Sequence, residues 1–261
     1  MKYIANYHTH HPLCKHAEGP IDEYVKAAIK HGLSILGFSD HAPSALLGEE
    51  FRMAVDEFSL YSDDVDRIKQ AYHKEIKIYK GIEIEYLDQN DEYYADLFKQ
   101  VDYFILGQHY IGLKSQNFIS TYDLKTKKDI MTYSDEIVSA MKTQLFSVVA
   151  HPDLFLFSYP TFDENAFLAS KAIIEASIAY DVPLEYNANG IRRGLVSLPE
   201  GDRYYYPRQE FWELVSQYPE CKVLVSADAH NSRQIYDEAI EEAFEHLKAL
   251  NIEPLSVLNF K

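Results

Sequence analysis

The sequence predicts an α/β fold with a parallel sheet, and three observations carry that expectation. Short apolar runs alternate with helix-patterned segments from end to end. No Pro/Gly/Ser-rich linker or low-complexity tract divides the 261 residues. Histidines fall where the strands stop. Seven strand-then-helix units in one uninterrupted stretch predict a single domain over 1–261. A closed barrel is the expected arrangement. A doubly wound open sheet is the alternative, but no glycine-rich phosphate loop follows the first strand.

The first strand is "YIANY" at 3–7, followed by a helix over 20–31. In "GPIDEYVKAAIKHG" the helix has Pro20 near its first turn, acids behind it and Gly32 as its stop. "ILGF" (35–38) precedes a helix at 60–74, and "IKIYKGIEI" (76–84) one at 92–100. "YFILG" (103–107) precedes a helix at 132–144, and "FSVVA" (146–150) one at 164–180. "PLEYN" (183–187) and "KVLVSA" (222–227) lead to helices at 208–217 and 234–250. In the last helix Ile235, Ala239, Ile240, Ala243, Phe244, Leu247 and Leu250 form one apolar stripe at helical spacing. Four connections after strands are long, at 42–59, 110–131, 152–163 and 188–207, and such loops carry function in parallel barrels.

Composition narrows the function classes. The hydrophobic fraction of 47% suits a globular core, and no apolar run approaches a membrane span. The beginning, "MKYIANYHTHH", lacks the apolar stretch of a secretion signal, and two cysteines give no disulfide framework. A cytoplasmic protein is expected. Forty-one acids against 25 bases leave a net charge of −16, which repels long polyanions. Nucleic acid and membrane are therefore not expected partners; a small substrate or a set of multivalent cations suits the field better.

The histidines locate the chemistry. His8 and His10 end the first strand, His41 follows the second, His109 the fourth, His151 the fifth and His230 the seventh. Glu83 ends the third strand and His16 lies in the first loop. Parallel strands bring their ends to one mouth, so these side chains are expected to converge. A lone HxH pair is common, but seven of the 11 histidines share this placement. Residues i and i+2 of a strand point the same way about 6.5 Å apart, so His8 with His10, and Asp228 with His230, can grip one ion. Glu83 has two oxygens with which to bridge a pair of cations. Imidazole with carboxylate suits zinc, manganese or iron, while the lack of clustered thiolates argues against a structural zinc cage. His31, His73 and His246 sit among charged helix residues and are expected to be solvated. His11 can line the pocket, and Cys14 reads as a small buried thiol.

Taken in order, "HTHHPLCKHAEG", "GFSDHAP", "GIEIEY", "GQHY", "AHPD" and "SADAHNS" resemble the motifs of the polymerase and histidinol phosphatase (PHP) superfamily, the first being similar to its histidinol-phosphatase branch. The resemblance runs from His8 to about Arg233 and implies a distorted (β/α)7 barrel with three divalent metal ions at the C-terminal ends of the strands. It implies that His8, His10, Glu83 and Asp228 hold one ion and that Glu83 bridges to a second held by His109 and His151. His16, His41 and His230 would hold the third. Every ligand position is filled by a competent residue, which argues against a non-catalytic metal-binding module. Related amidohydrolases also begin with HxH but use a bridging lysine on a middle strand; no strand end here offers one.

The implied reaction is hydrolysis of L-histidinol phosphate to L-histidinol and inorganic phosphate, a step of histidine biosynthesis, with another small phosphate ester or nucleotide as the alternative substrate. A metal-bridging hydroxide would attack phosphorus in line, without a phosphoenzyme. Asp228 and His230 are the candidate catalytic residues for protonating the leaving alkoxide, but their ligand roles compete with that, and a metal-bound water is the alternative acid. Arg192 and Arg193, in "NANGIRRG", and Arg233 are the candidate phosphate anchors. Glu185, Asn187, Glu49, Glu50 and Tyr204 to Tyr206 are candidates for contact with the cationic end of such a substrate.

Overall fold

The strand pairing shows why the chain closes into a ring. The computed structural model describes residues 3–87, 91–115, 117–198 and 201–260. In chain order come β1 (Ala5–Asn6), α1 (Ile21–Lys30), β2 (Ile35–Phe38), α2 (Phe58–Ala71), β3 (Lys77–Ile84), α3 (Asp91–Phe98) and β4 (Tyr103–Leu106). A small hairpin follows, β5 (Tyr110–Ile111) with β6 (Ile119–Ser120), then α4 (Lys127–Lys142), β7 (Val148–Val149), α5 (Glu164–Tyr180) and β8 (Leu184–Asn187). The chain ends with α6 (Ala188–Arg192), a hairpin of β9 (Leu195–Leu198) and β10 (Gly201–Tyr204), α7 (Gln209–Val215), β11 (Val223–Ser226) and α8 (Glu238–Ala249).

Seven strands in the order β1-β2-β3-β4-β7-β8-β11 form one sheet, and its pairings are all parallel. Its two edges meet beyond β1 and β11, where Thr9 and Ala229 form a parallel bridge. The His10 amide donates to the Ala229 carbonyl at 2.9 Å and the Ala229 amide to the His8 carbonyl at 3.2 Å. Lower down, Asn6 Oδ1 accepts from the Ala227 amide at 2.9 Å, so a side chain replaces a ladder bond. The product is a nearly closed, distorted (β/α)7 barrel rather than an open sheet.

Strand periodicity sorts side chains between the two sides of the wall. On β3, Ile78, Ile82 and Ile84 pack in the helix layer, while Tyr79 packs with the barrel interior and Glu83 points into the mouth. Tyr103 fills the interior where Gly37 and Gly81 leave room; a Cβ on either would lie 2.2 or 2.3 Å from Tyr103 atoms. The C-terminal tail plugs the far end. Its Leu258 amide donates to Tyr7 Oη at 3.0 Å, and the Phe260 ring stacks on Tyr103 with centroids 4.8 Å apart. Among the described residues no helix is long and apolar enough to cross a membrane.

Two helices start away from where their apolar stripes predict. The helix expected at 132–144 begins at Lys127, because Thr126 and Asp129 form a capping box one turn ahead of the stripe. The last helix begins at Glu238 rather than 234. Asp237 caps it through the Ile240 amide, and the residues before it form a separate short turn at Ser232–Ile235. Two of the long loops carry the small hairpins, which no alternation in the sequence announced.

Candidate metal centre

At the C-terminal mouth, Glu83 sits among five imidazoles. Its Oε1 is 3.0 Å from His151 Nε2 and 3.4 Å from His109 Nε2. Its Oε2 is 2.9 Å from His41 Nδ1, 3.4 Å from His8 Nε2 and 3.6 Å from His10 Nε2. Gly107 on the neighbouring strand makes the placement possible: a Cβ there would come within 2.2 Å of Glu83 Oε1. Across the seam, Asp228 Oδ1 lies 3.0 Å from His10 Nε2 and 3.7 Å from His8 Nε2. His151 and Asp228 have φ of 32° and 46°, left-handed values that non-glycine residues adopt at a cost, typically at functional sites.

Carboxylates behind the imidazoles set their orientation. His8 Nδ1 faces Glu185 Oε1 at 2.8 Å, His10 Nδ1 faces Asp40 Oδ1 at 3.2 Å, and His109 Nδ1 faces Glu85 Oε1 at 3.1 Å. Each can therefore donate from Nδ1 and turn an Nε2 lone pair into the site. The consequence is a test of fit for a cation. His8 Nε2 and His10 Nε2 are only 3.2 Å apart, and two facing lone pairs at that distance require a shared positive charge. Glu83 Oε2 and Asp228 Oδ1 are buried and receive no hydrogen bond of acceptable geometry. Among the described residues five groups have ligand atoms within 4.8 Å of one another, three of them being His8 with His10 and Asp228, Glu83 with His109 and His151, and His16 with His41 and His230. The donor set fits divalent metal ions of the zinc, manganese or iron type. His10, Cys14 and His230 form a further such group, with Cys14 buried and its Sγ accepting from the Ala17 amide at 3.2 Å.

The electrostatics agree. Burial alone would raise the Glu83 carboxyl, but His109, His8 and His41 outweigh it and hold the group well below the usual carboxylate range. Burial would likewise raise Asp228, and His8 and His10 bring it far down. Burial pushes His41 down to about 3, against the pull of Glu83. In His109 burial is overcome by Glu83 and Glu85, which lift it to about 9. The pocket thus draws positive charge to some positions and rejects protons at others.

A cavity of about 550 Å³ opens over this centre, walled by Phe51, Arg52, Tyr110, Ser120, Tyr122 and Arg193 among others. Of the three expected anchors, Arg193 lines it. The Arg193 guanidinium carbon lies 5.4 Å from the Tyr122 ring centroid and 5.7 Å from that of Tyr206, and its Nε donates to Tyr206 Oη at 3.1 Å. Arg192 does not. Its Nε and Nη2 bond Asp237 at 2.7 and 3.1 Å, and its remaining donors reach the carbonyls of Ala227 and Gln234, so it staples the start of α8 to the end of β11. Arg233 is exposed and stands outside the lining.

The residues expected to meet a cationic substrate end are also engaged elsewhere. Glu185 accepts from the His151 amide at 3.0 Å besides holding His8, and Asn187 donates to Glu185 and to Asp228. Tyr204 bonds Glu242, Tyr205 stacks on Phe157, and Glu49 and Glu50 are exposed outside the lining. Asp40, Glu85, Arg52, Tyr122 and Asn189 were missed. Strand period two marks Glu85 as a partner of Glu83, and Asp40 directly precedes His41; Arg52 and Tyr122 lie in loops without any local signal.

A model of the PHP domain matches residues 6–189. The chain is 23% identical over 254 residues to the "Probable histidinol-phosphatase" of Deinococcus radiodurans, covering 93% of each. It is 23% identical over 251 residues to a protein of the same description in Schizosaccharomyces pombe, covering 85% of this chain and 78% of that one. Its fold is similar to the histidinol phosphate phosphatase of Lactococcus lactis, solved with zinc, L-histidinol and phosphate. That likeness has a TM-score of 0.72 and 18% identity, over 99% of this chain and 100% of the other.

Proposed function

The chain belongs to the PHP domain family, and from that premise we propose that it is a metal-dependent phosphomonoesterase converting L-histidinol phosphate to L-histidinol and inorganic phosphate. The observation that carries the reading is the convergence of three ligand groups beneath a cavity lined by Arg193. The names of the full-length relatives and the histidinol and phosphate in the Lactococcus lactis structure support the choice of substrate. On this reading the enzyme serves histidine biosynthesis in the cytoplasm.

His8, His10, Glu83 and Asp228 would hold one ion, Glu83 with His109 and His151 a second, and His16, His41 and His230 a third. Zinc, manganese or iron bound there would lower the pKa of water and neutralise phosphoryl charge. The chain's own residues do the rest. Arg193, gripped by two tyrosines, meets the phosphate oxygens with a guanidinium already oriented. Asp228 keeps Oδ2 bonded to Asn187 at 3.0 Å and Asn189 at 3.2 Å, leaving Oδ1 to the site. His230 Nδ1 faces the Asp228 carbonyl oxygen at 3.1 Å, so its buried Nε2, without a hydrogen-bond partner in the cavity wall, turns a lone pair to the site and suits an ion rather than proton donation to the leaving alkoxide.

A second reading, hydrolysis of another small phosphate ester, draws on the lining itself. Among the described residues its carboxylates are Glu83 and Asp228, both already facing imidazoles, so a substrate ammonium finds no further acid. Phosphate release from L-histidinol phosphate and from a panel of small phosphomonoesters, with zinc- or manganese-loaded protein, decides the matter. A preference of 100-fold or more for histidinol phosphate supports the first reading, and equal rates across the panel refute it.

A further inference from the structure

Glu85 and Arg52 form a buried ion pair whose position points beyond fold stability. Arg52 is 5% exposed and Glu85 3%. The contact is two-pronged: Arg52 Nη2 donates to Glu85 Oε1 at 2.8 Å and Nη1 to Oε2 at 3.1 Å. Nη1 also donates to the Ala42 carbonyl at 2.9 Å, which ties the 42–59 loop to its own beginning. That loop brings Phe51 and Arg52 to the cavity wall, while Phe51 and Val55 stay largely exposed.

Glu83 and Glu85 stand two residues apart on β3 and its extension, and between them they hold both nitrogens of one ring. His109 Nε2 is 3.4 Å from Glu83 Oε1, and His109 Nδ1 is 3.1 Å from Glu85 Oε1. One strand therefore supplies an ion-bridging carboxylate and the carboxylate that orients the imidazole beside it. A pair serving stability alone would have no reason to place its acid oxygen on the second nitrogen of an expected ligand.

We propose that Glu85 is a positioning residue for His109: it accepts the Nδ1 proton, fixes the ring so that Nε2 faces the ion, and is itself held in that pose by Arg52. The 42–59 loop must then be seated for the His109–His151 position to bind an ion tightly. The inference rests on the metal-dependent reading of the site but not on the identity of the phosphate ester.

The test compares wild type, Glu85→Gln, Arg52→Lys and the double variant by zinc and manganese titration calorimetry with elemental metal counts. A buried carboxylate behind a ligating histidine is worth about 10- to 100-fold in metal affinity. Glu85→Gln is expected to weaken one ion by that factor and leave the others within about threefold. Arg52→Lys, which keeps the charge but loses the fork, is expected to weaken the same ion, and the double variant to be no worse than Glu85→Gln by more than about threefold. Unchanged affinity in Glu85→Gln, or losses that multiply in the double variant, overturns the proposal.

Nitrogen-15 spectra of zinc-loaded wild type give a second readout that needs no variant. His109 is expected to bind through Nε2 with a slowly exchanging Nδ1 proton. Binding through Nδ1 overturns the proposal even if Glu85→Gln fails to fold. A wild-type chain that binds no divalent ion overturns both this inference and the proposed function. Tight ion binding without histidinol phosphate hydrolysis defeats the substrate assignment alone.

Discussion

Replacing Gly107 with alanine puts a methyl group where Glu83 already is. The new Cβ would lie 2.2 Å from Glu83 Oε1, 2.5 Å from Cγ and 2.6 Å from Cδ, all atoms of one side chain. Bringing the nearest pair to an ordinary contact of about 3.4 Å requires a shift of roughly 1.2 Å, and overpacking of this kind costs about 1–3 kcal/mol. The backbone of Gly107 is not in the left-handed region, so the effect is steric rather than conformational. Glu83 cannot yield quietly, because its two oxygens lie within 3.6 Å of nitrogens from five histidines. A misplacement of about 1 Å at a reacting centre costs on the order of 100-fold in rate. Gly107→Ala should therefore lower kcat about 100-fold and reduce the metal count, while the protein stays folded in far-ultraviolet circular dichroism. Gly32→Ala is the control. Gly32 has φ of +77° with nothing within 4 Å of a Cβ, so it should lose about 1 kcal/mol of stability and no activity. If Gly107→Ala keeps kcat within threefold and a full complement of metal, Glu83 is not the pivot of the site.

Other substitutions separate anchoring from stapling. Arg193→Ala should raise KM for the phosphate ester at least tenfold, and Tyr206→Phe, which removes the 3.1 Å bond to Arg193 Nε, severalfold; steady-state kinetics would show both, and an unchanged KM in each removes this arginine from the phosphate subsite. Arg192→Ala should instead leave KM alone and lower the melting temperature, since its charged hydrogen bonds to Asp237 are worth about 1.5–3 kcal/mol each at most. Chelation should abolish phosphate release and lower the melting temperature, with zinc or manganese restoring both; activity that survives complete chelation contradicts a metal-dependent reaction. Asp163 caps α5, and the Ala166 amide, working against slight burial, holds its carboxyl below the usual range. The lowered value adds stability that is fully present above the unfolded carboxylate range near pH 4 and lost as pH falls through the folded value. Asp163→Ala should cost about 1 kcal/mol at pH 7 and less in acid, a trend that urea denaturation at two pH values would reveal.

Strand ends were readable because β-structure writes its two faces into alternate residues. Ile78, Ile82 and Ile84 face the helices, and Glu83 is the odd acid among them. Strand polarity likewise places His8, His10, His41, His109, His151, Asp228 and His230 at one mouth, and the barrel brings them together. The rule is silent on residues held by loops. Arg192 ends α6 and Arg193 follows it as the C-cap with helical backbone, so their side chains diverge by about 100°, and only the tertiary position of Asp237 decides which one turns away. Arg52 and Tyr122 come to the cavity from loops with no period to read. Glu185 was legible as a strand-end acid, yet its role was not, because sequence cannot say whether an acid meets solvent or the back of His8.

On the proposed reading, the charge inventory around the imidazoles explains how an acidic protein would receive a phosphate ester. Glu83 and Asp228 face the site, and Asp40, Glu85 and Glu185 stand behind it, all buried. Against these five carboxylates the same shell holds one buried guanidinium, that of Arg52, which leaves four negative charges among neutral rings. Uncompensated charges of that number are far too costly to bury, so the shell demands cations or protons, and against the effect of burial the facing carboxylates hold His8, His10 and His109 above the usual imidazole value. Two divalent ions would bring the shell to neutrality and give a phosphate dianion nothing to bind. Three would leave two positive charges; the attacking hydroxide would take one back and Arg193 across the cavity would restore it, matching the dianion. The outer carboxylates thus favour cations in the shell, and on the proposed reading a third ion, at His16, His41 and His230, would make it attractive to phosphate. Replacing His230 with alanine should accordingly weaken inhibition by inorganic phosphate more than tenfold while leaving two ions bound; unchanged phosphate affinity with two ions would contradict this assignment of charge.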